Sequence, residues 1–329
     1  MSKYSIFFLI VILLVGCSQP TRKRVSGPVI YCDACHEPID GRYVLAIGKR
    51  YHLEHFKCAI CDRNLSGKSY FEHDGLPLCK TCYAQNFSPT CDVCGKPLIE
   101  SFIRDQWGFQ YHKEHLNKYV KCYSCARLVC EHITGGGEKL EDGRVRCNLC
   151  KKTAVNSLHE AQAGFQKIRQ FMQRYNMELP IRTVPLRLVS LDKLRDLNPN
   201  NAEAAGRTEK ARMMENGRER ARKIESVYIL YGLPEEHFLA IAAHEFGHGY
   251  LFMNYYPTMR LQDEEGLCEL FEYLWLAEQK TDIAMNRIKS MEKNKDRIYG
   301  TGFRRAFKAY KQMGMRDLLA YVKRTGNLP

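Results

Sequence analysis

Between Cys32 and Cys150 the chain repeats one unit eight times: two potential metal ligands separated by two residues. The first block runs Cys32-x2-Cys35, His52-x2-His55, Cys58-x2-Cys61 and Cys79-x2-Cys82. The second runs Cys91-x2-Cys94, His112-x2-His115, Cys122-x2-Cys125 and Cys147-x2-Cys150. Each block offers enough ligands for two tetrahedral zinc ions, so the array as a whole accounts for four. A disulfide framework is the competing reading, and an oxidising compartment would favour it. Disulfides have no use for His at matching places in both blocks, however, and the strict spacing suits zinc knuckles. Segments this short cannot bury enough apolar surface to fold alone, so the metal is expected to supply folding energy. Alternating runs such as Tyr43 to Ile47 predict small hairpins between the ligands.

The order of ligands resembles a tandem pair of LIM domains, zinc-pinned hairpin modules that typically bind other proteins. His55 and His115 stand where the usual LIM pattern has Cys. The second block carries four extra residues before Cys122, and Cys130 and His132 lie nearby as alternative ligands.

The array accounts for all but a few of the 15 cysteines; Cys17 and Cys268 lie outside it. Lys3 and the apolar run Ile6 to Val15 read as a signal peptide over residues 1–16. Leu14-Val15-Gly16-Cys17 looks like a bacterial lipobox, which makes Cys17 the expected lipidated N-terminus and residues 17–29 a polar tether. An uncleaved N-terminal anchor is the alternative. Either places the remainder in a bacterial cell envelope, outside the cytoplasmic membrane. The net charge of +13 is spread along the whole chain. With no basic motif interleaved with aromatics, a solvated surface near a membrane is favoured over nucleic-acid binding.

Beyond the array the composition changes. Leu158, Phe165, Ile168, Phe171 and Met172 fall near helical spacing within 153–178, an amphipathic helix expected to end at Pro180. Residues 181–191 and 224–231 alternate like strands, and the polar stretch 192–221 between them reads as a long surface excursion or flap. Pro234-Glu235-Glu236 opens a second helix. That helix carries Ala243-His244-Glu245-Phe246-Gly247-His248, an H-E-x-x-H string. Spacing of four puts both imidazoles on one helical face, where they can share a zinc ion, with Glu245 beside it as general base. Such a zinc would polarise a peptide carbonyl and acidify a water to a pKa of about 7.

A third ligand is needed. The metzincin extension fails, because positions 251 and 254 hold Leu251 and Asn254. The stretch Asp263 to Glu269 offers Glu265, followed by Gly266, as in gluzincin aminopeptidases. Glu264 is the fallback, and Glu269 could orient an imidazole. Cys268 reads as a small core residue. Tyr299 is the nominee for stabilising the developing oxyanion, with a plain loop aromatic as the alternative.

Four stretches in this order are similar to the plant organ-size-regulating LIM peptidases: Tyr231-Gly232-Leu233-Pro234, Ala243 to His248, Glu264 to Cys268, and Tyr299 to Arg304. The resemblance covers roughly residues 30–329. It implies a zincin-type peptidase behind a protein-binding LIM array. His244, His248 and Glu265 become its zinc ligands and Glu245 its acid/base. It departs from the plant pattern before Cys32, where the expected signal and tether would leave no room for ubiquitin-interacting helices. The expected fold class is α+β: LIM modules over 30–86 and 87–152, then a mostly helical peptidase with a small sheet over 153–329. The expected cofactors are one catalytic and four structural zinc ions. The expected partners are a protein substrate and a protein bound by the LIM modules. A non-catalytic LIM scaffold with a silent peptidase fold is the alternative.

Overall fold

The computed structural model describes residues 29–199, 201 and 204–329. The expected signal segment and Cys17 therefore lie outside the described residues, apart from the tether's last position. The chain divides into two compact units, one ending at Tyr119 and one running Val120–Pro329. The division falls inside the stretch read as the second LIM module. No helix among the described residues is long and apolar enough to cross a membrane.

The N-terminal unit consists of hairpins and short helices. Strands β1 (Tyr43–Ala46) and β2 (Lys49–His52) pair antiparallel, as do β3 (Phe71–His73) and β4 (Leu76–Leu78). Helix α1 (Lys80–Asn86) follows, then the hairpin β5 (Phe102–Arg104) and β6 (Gln110–His112), then the single turn α2 (His115–Lys118). Each Cys-x2-Cys pair that opens a site makes the same knuckle. The backbone N–H of Cys32, Cys58, Cys91 and Cys122 donates to the carbonyl five residues on. The residue after the second cysteine takes a positive φ each time: His36, Asp62, Gly95 and Ala126. The repeat seen in sequence is thus a repeat of backbone geometry.

The C-terminal unit opens on the fourth knuckle. It continues through α3 (Glu131–Thr134), the hairpin β7 (Gly137–Lys139) and β8 (Val145–Cys147), and α4 (Asn148–Lys151). Strand β9 (Ala154–Val155) leads into α5 (Leu158–Gln173), whose first turn is closed by a reciprocal capping box between Ser157 and Glu160. The helix ends seven residues before Pro180, because the chain turns at Arg174 to Met177 and buries Met177.

Strand β10 (Leu186–Val189) and helix α6 (Leu191–Leu197) come next. The stretch expected to be a flap is mostly regular. Strand β11 (Gly206–Glu215) and β12 (Arg218–Leu230) form an antiparallel ribbon around Asn216-Gly217, both of which have positive φ. That pair of dihedral signs is the mirror-image turn that matches strand twist, and Asn-Gly is its strongest signal. The ribbon is polar because its distal half is exposed on both faces. The sheet order is β10-β12-β11, with β10 parallel to β12, so β12 is central and β11 is an edge.

Strand β13 (Leu233–Pro234) pairs with β9 and leads into α7 (Glu235–Met253). Three helices complete the unit: α8 (Leu261–Gln279), α9 (Asp282–Lys293) and α10 (Tyr299–Thr325). Helix α7 is buried on most of its circumference, with Phe165 and Ile168 of α5 sharing its core with Phe238 and Phe246, and Leu267 and Phe271 of α8 closing it. A helix apolar nearly all round must lie inside. The fold is mixed α+β: small hairpin modules, then a mostly helical region with a small sheet.

Candidate metal centres

Four clusters of ligand atoms lie in the array: Cys32, Cys35, His52, His55; Cys58, Cys61, Cys79, Cys82; Cys91, Cys94, His112, His115; and Cys122, Cys125, Cys147, Cys150. Within each, all ligand atoms are within 4.8 Å of one another. Cys130, the sequence alternative, is instead the residue that opens α3, and His132 is exposed.

The donors fit zinc on three counts. The Sγ atoms of Cys61 and Cys79, and of Cys125 and Cys147, stand 3.7 Å apart. That is too far for a disulfide and close to the edge of about 3.8 Å that a tetrahedron of 2.3 Å zinc–sulfur bonds requires. His52 and His112 turn Nδ1 toward a cysteine sulfur and place Nε2 3.2 Å from the carbonyl of Pro38 or Pro97, the outer hydrogen bond that ligating imidazoles characteristically make. His115 is buried and neither ring nitrogen has a hydrogen-bond partner. An orphaned imidazole inside a thiol cluster is a costly arrangement unless a metal takes the nitrogen.

In the C-terminal unit, α7 and α8 bring a second kind of donor set together. His244 and His248 face one way from α7, with ring centroids 5.1 Å apart. Glu265 Oε2, from α8, lies 3.2 Å from His244 Nε2 and 3.6 Å from His248 Nε2. Bonds of about 2.0–2.1 Å in a tetrahedron give edges near 3.3 Å, so these three atoms suit one zinc ion. The other nitrogens are also addressed. Glu264 Oε1 is 2.8 Å from His248 Nδ1 and also 2.7 Å from Lys210 Nζ. Glu269 Oε1 and Glu272 Oε2 are 3.7 and 3.9 Å from His244 Nδ1. Glu264 thus stands behind a ligand rather than in the third ligand's place.

Burial disfavours charge on His244, yet the Glu265 carboxylate outweighs it and lifts the imidazole to about 9. Glu264 is likewise penalised by burial but is held down at about 2 by His248 and Lys210. Burial, with Glu272 beside it, pushes Glu269 up to about 7. A field that favours protons on two imidazoles favours a divalent cation in their place.

Glu245 lies on the adjacent face, buried, with Oε2 2.7 Å from the Thr208 hydroxyl of β11. A methyl group on Gly206 would sit 2.6 Å from Glu245 Oε1, so the strand passes over the carboxylate with only hydrogen to spare. Both β11 and β12 lie against this helix, and it is the edge strand β11 that passes over Glu245. Tyr299 opens α10; its hydroxyl accepts a bond of 2.7 Å from Asn201, and burial pushes it up to about 12. Glu245, both histidines, Glu265 and Tyr299 line one cavity of about 810 Å³.

Cys268 is fully buried, as a core residue would be, but its sulfur also lies within 4.8 Å of both imidazoles. Thr208, Glu272 and Tyr123 also reach this cavity or its ligands, and sequence reasoning did not single them out. Glu272 was visible as the next turn of the face that carries Glu265 and Glu269. Thr208 was hidden in the stretch taken for a flap.

Comparison with known proteins follows the same division. Residues 32–87 match the LIM domain family, and residues 182–294 match the family described as Protein DA1. "Protein DA1-related 1" of Arabidopsis thaliana is 25% identical, over 94% of this chain and 68% of that protein. "LIM domain-containing protein HDR3" of Oryza sativa subsp. japonica is 24% identical, over 95% and 76%. "LIM domain-containing protein B" of Dictyostelium discoideum is 32% identical, over 48% and 27%. The chain thus joins an N-terminal LIM domain to a C-terminal region similar to Protein DA1, and its Cys/His clusters fit zinc binding.

Proposed function

We propose that the C-terminal unit is a zinc-dependent peptidase acting on protein substrates, and that the LIM portion recognises a protein. The observation that carries this is the convergence of His244 Nε2, His248 Nε2 and Glu265 Oε2 beside the buried Glu245 carboxylate in one cavity. Those three residues would hold one zinc, and the four Cys/His clusters would hold one each. Bound there, zinc supplies Lewis acidity toward a peptide carbonyl and a water.

The chain's own groups do the rest. Glu264 fixes the His248 ring through Nδ1, while Glu269 and Glu272 face Nδ1 of His244. Glu245 takes the proton of the attacking water on its carboxylate and passes it to the leaving amide nitrogen. Thr208 holds Oε2 of that carboxylate, so the base is oriented before substrate arrives. Tyr299, kept protonated and steered by Asn201, donates to the carbonyl oxygen as it gains charge. The edge of β11 accepts the extended substrate backbone as an added strand.

The test compares the zinc-loaded chain with its Glu245→Gln variant on an unstructured protein. Both should bind the same number of zinc ions. The wild-type chain should cleave, and the variant should fall by at least about a hundredfold, the scale of a lost general base. Equal cleavage by both, or none by either once the residues before Val120 are removed or engaged, would leave a protein-binding scaffold as the better account.

A further inference from the structure

The cavity continues past the metal-ligand face toward the start of α7. There it is walled by Tyr123, Leu191, Arg195, His237 and Arg287. His237 precedes His244 by seven residues, two helical turns on the same face, or roughly 10 Å along the axis. Its Nδ1 is buried with no hydrogen-bond partner. Burial, with Arg287 adding to it, pushes the imidazole down to about 4, so it is neutral at pH 7. A buried polar nitrogen without a partner calls for an explanation, and a ligand in the adjoining cavity is one.

Around it stand donors. Arg195 ends α6 with Asp192, 3.9 Å away, as its ion-pair partner, both side chains more than half exposed. Arg287 gives Nε to Glu272 and keeps its terminal nitrogens for other acceptors. Tyr123 comes from between the first two cysteines of the fourth knuckle, and its hydroxyl lies in the field of both arginines. The carboxylates near this end are each engaged: Glu272 by Arg287, Asp192 by Arg195, and Asp142, which also acts on Tyr123, by Arg144. The metal face sets acids beside imidazoles; this end adds two arginines, a phenol and a neutral imidazole.

The direction of a bound peptide follows from the strand. Gly206 lies against Ile241 and Glu245, and Lys210 lies over the Phe252 ring, so β11 and α7 run the same way. A peptide pairing antiparallel to β11 runs the opposite way, and its residues beyond the cleaved bond approach His237. At about 3.3 Å per residue, 10 Å is about three residues.

Resting on the peptidase reading above, we propose that Tyr123, Arg195, His237 and Arg287 form a carboxylate-binding subsite on the leaving-group side of the cleft. It selects substrates with an acidic side chain, or their own C-terminal carboxylate, about three residues past the cleaved bond.

The experiment measures binding first, so that it does not depend on turnover. The full-length, zinc-loaded Glu245→Gln chain is titrated with labelled decapeptide pools. One pair of pools differs in a C-terminal acid or amide; another set has Glu or Gln fixed at each position in turn. A charge-assisted bond should give a preference of about tenfold for one carboxylate form. Preference for the acid over the amide identifies the chain terminus; preference for Glu at one position identifies a side chain. Adding Arg195→Gln should remove most of the preference, and Arg195→Lys should restore part of it. Equal affinity for all pools overturns the proposal, as does a preference unchanged by Arg195→Gln combined with Tyr123→Phe. Preference in binding without cleavage by the wild-type chain would keep the subsite and sink the peptidase reading.

Discussion

Each imidazole of the H-E-x-x-H pair has a carboxylate behind it. Glu264 sits 2.8 Å from Nδ1 of His248, and such outer partners typically contribute 10- to 100-fold in metal affinity. Glu264→Gln should therefore weaken zinc binding at this centre by about 10- to 100-fold while sparing the Cys/His clusters, read by competition with a graded chelator. Unchanged affinity would mean that Glu264 serves Lys210 rather than the histidine. At this scale the sequence was informative because ligand chemistry restricts residue type and helical spacing restricts position. Glu265 and Glu269 follow from one helix face, whose next turn holds the unremarked Glu272. It was uninformative where a partner comes from a remote element: nothing local marks Thr208 as the residue that holds Glu245.

Helix α7 was legible from Pro234 and its acidic first turn, and α5 from its apolar spacing. The ribbon β11–β12 was not, because its outer half has no core face and so shows no alternation between apolar and polar residues. Only Asn216-Gly217 announced it. Strand β11 matters to the cleft through Gly206, which leaves no room for a methyl group over Glu245. Gly206→Ala should displace the carboxylate or lift the strand by a fraction of an ångström or more. With groups misplaced on that scale, kcat of the proposed peptidase should drop by at least about tenfold. Zinc content and melting behaviour measured on the same sample separate this from unfolding. A variant with full kcat would show that the strand yields freely.

Within the C-terminal unit, a buried ion pair in the β7–β8 hairpin anchors the links from the fourth cluster's module to the elements beyond it. Asp142 and Arg144 meet at 2.9 Å with side chains almost wholly buried. Asp142 also accepts the Leu191 N–H, and Arg144 donates to the Tyr231 carbonyl, so α6 and the end of β12 are tied to the hairpin loop. Burial works to raise the Asp142 carboxyl, but Arg144 and the Leu191 N–H outweigh it and hold it below its usual range. Its contribution is thus fully present above about pH 4, the unfolded value, and is lost as pH falls through the lower folded value. Asp142→Asn leaves Arg144 buried without its anion and should cost about 3 kcal/mol near neutral pH. The gap between the two proteins in denaturant melts should narrow below pH 4. A constant gap would assign the cost to the Leu191 and Tyr231 hydrogen bonds alone.

Because the module that begins at Cys122 supplies both this tie and Tyr123 of the cleft wall, the last of the four clusters is not interchangeable with the other three. The first three lie in the N-terminal unit. The fourth belongs to the unit that holds the cleft. A shortened chain meant to keep the cleft whole should start at Val120 rather than at Thr153, and variation in modular architecture should stop at that line.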